Sequence, residues 1–383
     1  MAENNNQDSE HQTPASDLRS PSSDRSSPSG SAPRLEKPVR ITDQVWPEGT
    51  VPVVSVFCIT YNHANFIRDA IEGFLMQETT FPVQIFIHDD ASTDGTAEIV
   101  KEYAEKYPKL FWTVLQTENQ WSKGNKKILN DYLQEQRGEF VALCEGDDYW
   151  IAKEKVQKQV EILDQNPKYS MSASMHMEEK FSIHKGVVRI LPASRPTKNN
   201  IYTIKDVIAA YPFHTSTAMI RNRFVLFPKW MNDVLNGDVC IFILHAAAGP
   251  IGFLDIVTSV YRLHKGGVWT ETNANQRVRN HINTFEKVNN HFNGIYSREL
   301  RLREYILLLR ECESLVRISD KKSAYSIYFD NFSHLIKYVP IRMLVLATEI
   351  LFGFRIMHIS NRLTGVLALR TRLRKLACYI RKK

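Results

Sequence analysis

Apolar residues along this chain switch between two rhythms, and the switching predicts a fold. Val53–Ile59 is a short, nearly uninterrupted apolar run rich in β-branched residues, which predicts a buried strand. Phe66–Met76 instead sets Phe66, Ile67, Ala70, Ile71, Phe74 and Leu75 on one helical stripe. The alternation continues with strand Val83–Ile87, helix Thr96–Tyr107 stopped by Pro108, and strand Phe111–Leu115. Helix Lys126–Glu135, strand Phe140–Cys144 and helix Lys153–Leu163 follow. Strands and helices in alternation over short connections predict an α/β domain with a mostly parallel sheet flanked by helices.

Residues 170–265 are less regular. They predict a helix at Tyr202–Tyr211, a strand at Thr215–Ile220, a helix at Val239–Ala248 and a last strand at Ile256–Leu263. Beyond Trp269 the pattern is helical, including Arg301–Val316 and Tyr325–Tyr338. The expected organisation is a segment at 1–48 without fixed structure, an α/β domain at 49–269 and a C-terminal helical appendage at 270–383. The first segment is rich in Ser, Pro, Asn and Asp and lacks the apolar surface that would offset chain entropy.

Composition narrows the classes. The 383 residues are 43% hydrophobic and 24% charged, as expected of a packed protein. The five cysteines are scattered and form no CxxC pair, so neither a disulfide framework nor a zinc site is expected and a reducing compartment fits. The opening segment has no apolar h-region, and no stretch offers about 20 uninterrupted apolar residues for a membrane span. The expected location is therefore cytoplasmic. The formal net charge is +7, and residues 339–383 carry ten Lys/Arg against the single acid Glu349. That basic tail, interleaved with leucines, suits an anionic membrane surface at the inner face of the membrane; a helix resting on the protein body is the plainer reading. Nucleic acid is not expected.

Candidate chemistry gathers where strands end. Thr60-Tyr61-Asn62, Asp89-Asp90 and Glu145-Gly146-Asp147-Asp148 each follow a predicted strand, and ligands bind beyond the carboxyl ends of such strands. Three carboxylates within four residues repel one another unless a cation such as Mg²⁺ or Mn²⁺ neutralises them; a solvated turn capping the next helix is the alternative. Asp89 or Asp90 can accept bonds from a base or ribose, or simply build the turn that Asp94-Gly95 completes. Trp269, Trp230, Phe213 and His214 are aromatics that could shape an acceptor pocket or pack in the core.

Taken together, Val54-Ser55-Val56 through Asn62, Asp89 through Thr96, and Glu145 through Trp150 resemble glycosyltransferase family 2, which has the Rossmann-like GT-A fold. The resemblance implies a metal-dependent, inverting transfer from a nucleoside-diphosphate sugar to a glycan or lipid-linked acceptor, as in bacterial polysaccharide biosynthesis. It implies nucleotide-sugar contacts at Thr60, Tyr61, Asn62, Asp89, Asp90, Lys126, Glu145 and Asp147, and a metal on Asp147, Asp148 and His264. Asp238 stands at the position of the catalytic base. The sequence departs from the family at Gly237, where a glutamate is usual, and at Ile151-Ala152, where an Asp-Pro pair is common. A sugar-nucleotide nucleotidyltransferase and a non-catalytic nucleotide-sugar-binding protein are the alternatives, although the first would carry a Gly-rich phosphate loop that Thr60-Tyr61-Asn62-His63 lacks.

Overall fold

A computed structural model describes residues 33–125, 127–182, 186–190, 200–267, 271–317 and 320–331. Strands β1 (Val39–Arg40), β2 (Val54–Thr60), β3 (Glu78–Thr79), β4 (Val83–Asp89), β5 (Phe111–Leu115) and β6 (Phe140–Leu143) make the first half. Helices α1 (Ile67–Leu75), α2 (Thr96–Lys106), α3 (Lys127–Glu135) and α4 (Lys155–Gln165) alternate with the longer strands, as the apolar rhythm predicts. The second half holds β7 (Tyr149–Trp150), β8 (Met171–Ser182), β9 (Gly186–Ile190), β10 (Ile201–Tyr202), β11 (Met219–Arg221) and β12 (Ile251–Leu263). Its helices are α5 (Ile204–Ala210) and α6 (Gly237–Ala248).

One large sheet runs β10-β12-β8-β11-β6-β2-β4-β5. From β6 to β5 every pairing is parallel, and helices cover both faces. Alternation along β2 sends Val54, Val56 and Cys58 into one core with α1 and α4, and Phe57 into the other with α6. Beyond β6 the sheet is mixed: β11 runs antiparallel to both β6 and β8, and β12 pairs parallel with β8. The mostly parallel expectation therefore holds for the first half, and the antiparallel β11 reverses direction in the second.

Two expected elements differ in detail. Thr215–Ile220 splits into a 3-10 turn at Thr215–Thr217 and the short β11, because the carbonyl of His214 accepts the Thr217 N–H at 2.9 Å and ends the extended backbone. The last strand begins at Ile251, five residues before the expected start, and pairs along β8. The segment expected to lack structure also needs correction after residue 33. Val39–Arg40 pairs with Glu78–Thr79, and Ile41 is 1% exposed within the core under α1. One buried isoleucine and a backbone ladder hold this stretch, and average composition hides both. Residues 1–32 lie outside the described residues.

Helices Ala274–His291, Ser297–Arg317 and Lys321–Asp330 complete the chain as described. Phe285, Val288, Phe292 and Leu300 join the core that contains Phe57 and α6, while Tyr305, Leu308, Cys312 and Tyr328 form a smaller core among the three helices. Among the described residues, no helix is long and apolar enough to cross a membrane.

Candidate active site

Main-chain geometry first brings the strand-end loops together. Asn62 has φ 55°, its N–H donates to Ser92 Oγ at 2.8 Å, and its Oδ1 accepts the Thr93 N–H at 2.8 Å. Asp94 accepts the Ala64 N–H at 2.9 Å, and Thr96 Oγ1 accepts the His63 N–H at 2.8 Å. The loop after β2 is thus sewn to the loop after β4. Gly146 then seats the acidic loop on the same edge. A Cβ at that position would lie 2.7 Å from Thr60 Oγ1 and 2.9 Å from Ile67 Cδ1, so only glycine allows this approach.

The acids of the β4 edge build local structure. Asp89 accepts the Ser92 N–H at 3.0 Å and the Ser92 hydroxyl at 2.5 Å. Asp90 accepts the N–H groups of Gln120 at 2.8 Å and Trp121 at 3.0 Å, one on each oxygen. Tyr61, in contrast, is 45% exposed at the rim.

The acids after β6 face a different environment. Asp147 Oδ2 lies 3.0 Å from His264 Nε2 and 3.7 Å from His63 Nε2. Burial pushes the Asp147 carboxyl up, but the hydrogen bond from His264 and the nearby His63 outweigh it and leave the group below its ordinary value. His264 is raised by the same hydrogen bond, whereas burial lowers His63. One ligand atom from each of His63, Asp147 and His264 lies within 4.8 Å of the others, a spacing that fits a single divalent ion held by two imidazoles and a carboxylate.

Asp148 turns away from this trio. It is 0% exposed; its Oδ1 accepts the Arg262 backbone N–H at 2.9 Å, and its Oδ2 faces His214 Nδ1 at 3.3 Å. Burial raises Asp148 strongly and lowers His214 to about 3. Arg262 adds a clamp from β12. Its guanidinium lies over the Tyr149 ring at 4.2 Å, donates to the Asp147 carbonyl at 3.2 Å and pairs with Asp69.

Glu145 links this cluster to Asp238. Burial first, then the charges of Asp147 and Asp238, push Glu145 up to about 8. Asp238 sits in the first turn of α6 and accepts a hydrogen bond from the Tyr211 hydroxyl. Burial raises its carboxyl, and the tyrosine opposes part of that rise.

The structure therefore gathers Thr60, Asn62, Glu145, Asp147, Asp148 and His264 along one sheet edge, with Asp238 electrostatically coupled through Glu145. Lys126, Trp269 and residues 339–383 lie outside the described residues. His63, Arg262 and Tyr211 escape sequence reasoning. The only signal for His63 is its place next to the strand-end turn. Phe213 packs edge-on to Tyr202 in the core, and Trp230 packs against that same core, so for these two the core-packing alternative holds.

Comparison with known proteins bears on the fold and the reaction class. Residues 55–225 match the family model described as Glycosyl transferase family 2. A protein of Mycobacterium tuberculosis is 33% identical over 231 residues, 58% of this chain and 62% of that relative, so the chain spans less than two thirds of the relative's length. TuaG of Bacillus subtilis, a glycosyltransferase assigned to teichuronic acid biosynthesis, is 35% identical over 112 residues, 29% of this chain and 42% of TuaG. Among solved structures, the mannosyltransferase PcManGT of Pyrobaculum calidifontis, in complex with GDP-Man and Mn²⁺, matches with a TM-score of 0.50 at 20% identity, covering 89% of each chain. Its likeness concerns the fold. Residues 55–225 are thus similar in sequence to glycosyltransferase family 2, and the mixed sheet that holds them resembles the GT-A fold of that mannosyltransferase.

Proposed function

We propose that this protein is an inverting, metal-dependent glycosyltransferase that moves a sugar from a nucleoside-diphosphate donor to an acceptor hydroxyl in cell-surface polysaccharide or glycan biosynthesis. The observation that carries this reading is the convergence of His63, Asp147 and His264 at a spacing suited to one cation, with Glu145 coupled electrostatically to both Asp147 and Asp238. The family match supports the reaction class, and the relation to TuaG supports the polysaccharide setting.

His63, Asp147 and His264 would hold the divalent ion, Mn²⁺ by preference over Mg²⁺ because two of the donors are imidazoles. When bound, such an ion supplies positive charge to the diphosphate leaving group. Thr60, Asn62 and Glu145 line the donor side, and Tyr61 at the rim offers a ring face to the base. Asp238 takes the proton from the acceptor hydroxyl as its oxygen bonds to the anomeric carbon and the bond to the diphosphate breaks. A single displacement of this kind inverts configuration. Burial strengthens Asp238 as a base, since a carboxyl raised toward neutral pH has more driving force for proton transfer. Arg262 holds the acidic loop, and Asp148 forms with Glu145 and His214 a second group whose ligand atoms lie within 4.8 Å of one another.

The acceptor is a glycan or lipid-linked hydroxyl, and the protein works in the cytoplasm against the inner face of the membrane through the basic residues 339–383. A panel of UDP-, GDP- and dTDP-sugars tests the reading, with release of nucleoside diphosphate followed in Mn²⁺ and in EDTA. Release from one donor class that needs Mn²⁺ is expected. Equal turnover in EDTA would refute the metal dependence, and pyrophosphate formed from a nucleoside triphosphate and a sugar 1-phosphate, with no turnover of the sugar nucleotides, would mark a nucleotidyltransferase instead.

A further inference from the structure

Asp238 is not held by its own helix alone. Its carboxylate accepts the hydroxyl of Tyr211, the residue that ends α5. Tyr211 has φ 47° and ψ 68°, the left-handed conformation usually left to glycine or asparagine at a helix end. A large aromatic there is strained, and such strain persists only where the surroundings enforce it. They do so on two sides. The Tyr211 ring stacks on Phe242 of α6 at 5.6 Å, and its N–H donates to the Val207 carbonyl at 2.9 Å. On the other side Arg303, only 6% exposed within helix Ser297–Arg317, donates to the Ala209 carbonyl at 3.3 Å. A connected path therefore runs from the C-terminal helices through the strained turn to the base.

We propose that Tyr211, seated by Arg303, is a positioning residue that fixes the rotation of the Asp238 carboxylate and keeps it ionised for proton abstraction. This rests on the assignment of Asp238 as the base. It makes the C-terminal helices part of the catalytic support rather than an appendage. The groups facing Asp238 are Tyr211 from α5, Glu145 from the loop after β6, and the Val239 N–H and Cys240 from α6. The charge of Asp238 opposes ionisation of Glu145, while the Tyr211 hydroxyl and the Val239 N–H favour ionisation of Asp238.

Tyr211→Phe keeps the ring and removes the donor. In the full chain it should lower kcat on the order of tenfold, leave the donor KM within about twofold, and shift the acid limb of the kcat–pH profile to higher pH. Incorporating 3-fluorotyrosine at position 211, which keeps the shape and strengthens the donor, should shift that limb to lower pH. In an Asp238→Asn background, Tyr211→Phe should have no further effect on residual turnover. A Tyr211→Phe enzyme with unchanged kcat and acid limb would overturn the positioning role, as would a fluorotyrosine enzyme whose limb stays in place. An active Asp238→Asn enzyme would instead overturn the base assignment beneath it, so the two failures are distinct.

Discussion

The β4 edge and the β6 edge of this sheet both end in acids, yet they use them in opposite ways. Asp89, Asp90 and Asp94 each accept two or more hydrogen bonds from nearby N–H and hydroxyl groups, mostly backbone N–H groups of neighbouring loops. Their charge shapes a cradle. Glu145, Asp147, Asp148 and Asp238 meet histidines, a tyrosine or one another; burial pushes all four up, and only Asp147, bonded by His264, ends below its ordinary value. Charge that the protein itself leaves poorly compensated is charge available to a cation, a diphosphate or a proton. On the proposed function, similar residue types separate into scaffold and chemistry according to what their oxygens already hold.

The sharpest way to break this contrast is Asp238→Asn. It should lower transfer on the order of 10²–10⁴-fold, the range for loss of a general base, while donor affinity by calorimetry stays near wild type. Asp147→Ala should come next, weakening Mn²⁺-dependent donor binding by about 100-fold or more, the top of the range that loss of an outer partner typically costs. Asp90→Asn belongs to the other class. It should cost about 1–3 kcal/mol of folding stability in urea titrations, because the amide satisfies fewer of the two N–H donors than a carboxylate does. If Asp90→Asn abolished donor binding without loss of stability, the division between the two edges would fail.

The smallest expected effect is a matter of sign. In the metal-free protein Glu145 is pushed from 4.5 up to about 8, so between those values the folded state keeps a proton that the unfolded chain has released. Stability should therefore fall as pH rises through that window. Glu145→Gln should flatten the fall and raise Tm at pH 8 in EDTA, read by thermal denaturation. A Glu145→Gln protein less stable than wild type at pH 8 would show that the acid is well compensated after all.

How much of this was legible follows from where the determining contacts lie. The strand–helix alternation of 53–165 is local and continuous, and β2, β4, β6 and α1 emerge within a few residues of expectation. The apolar pattern predicts no strand at β8. Met171, Ala173, Met175 and Met177 alternate with Ser172, Ser174 and His176, but serines and methionines are weak strand signals. Its polar face is also buried, with Ser174 Oγ 2.6 Å from Thr258 Oγ1 across the sheet. At the site, the acids were visible because they follow strands. Their partners were not, because His63, His214, Tyr211 and Arg262 reach them from elements far apart in sequence. Asp147 and Asp148 are adjacent in the chain, yet one faces the His63 and His264 rings and the other faces His214. No spacing rule separates those two roles.

In the proposed reaction Asp147, with His63 and His264, holds one divalent ion beside the donor diphosphate. The most direct measurement is electron paramagnetic resonance of free Mn²⁺ titrated with the full chain in the presence of UDP or GDP. The account predicts loss of the free-ion signal at one Mn²⁺ per chain with the nucleotide that suits the site, and no such loss with Asp147→Ala. Equal Mn²⁺ uptake by the wild-type and Asp147→Ala proteins would contradict it.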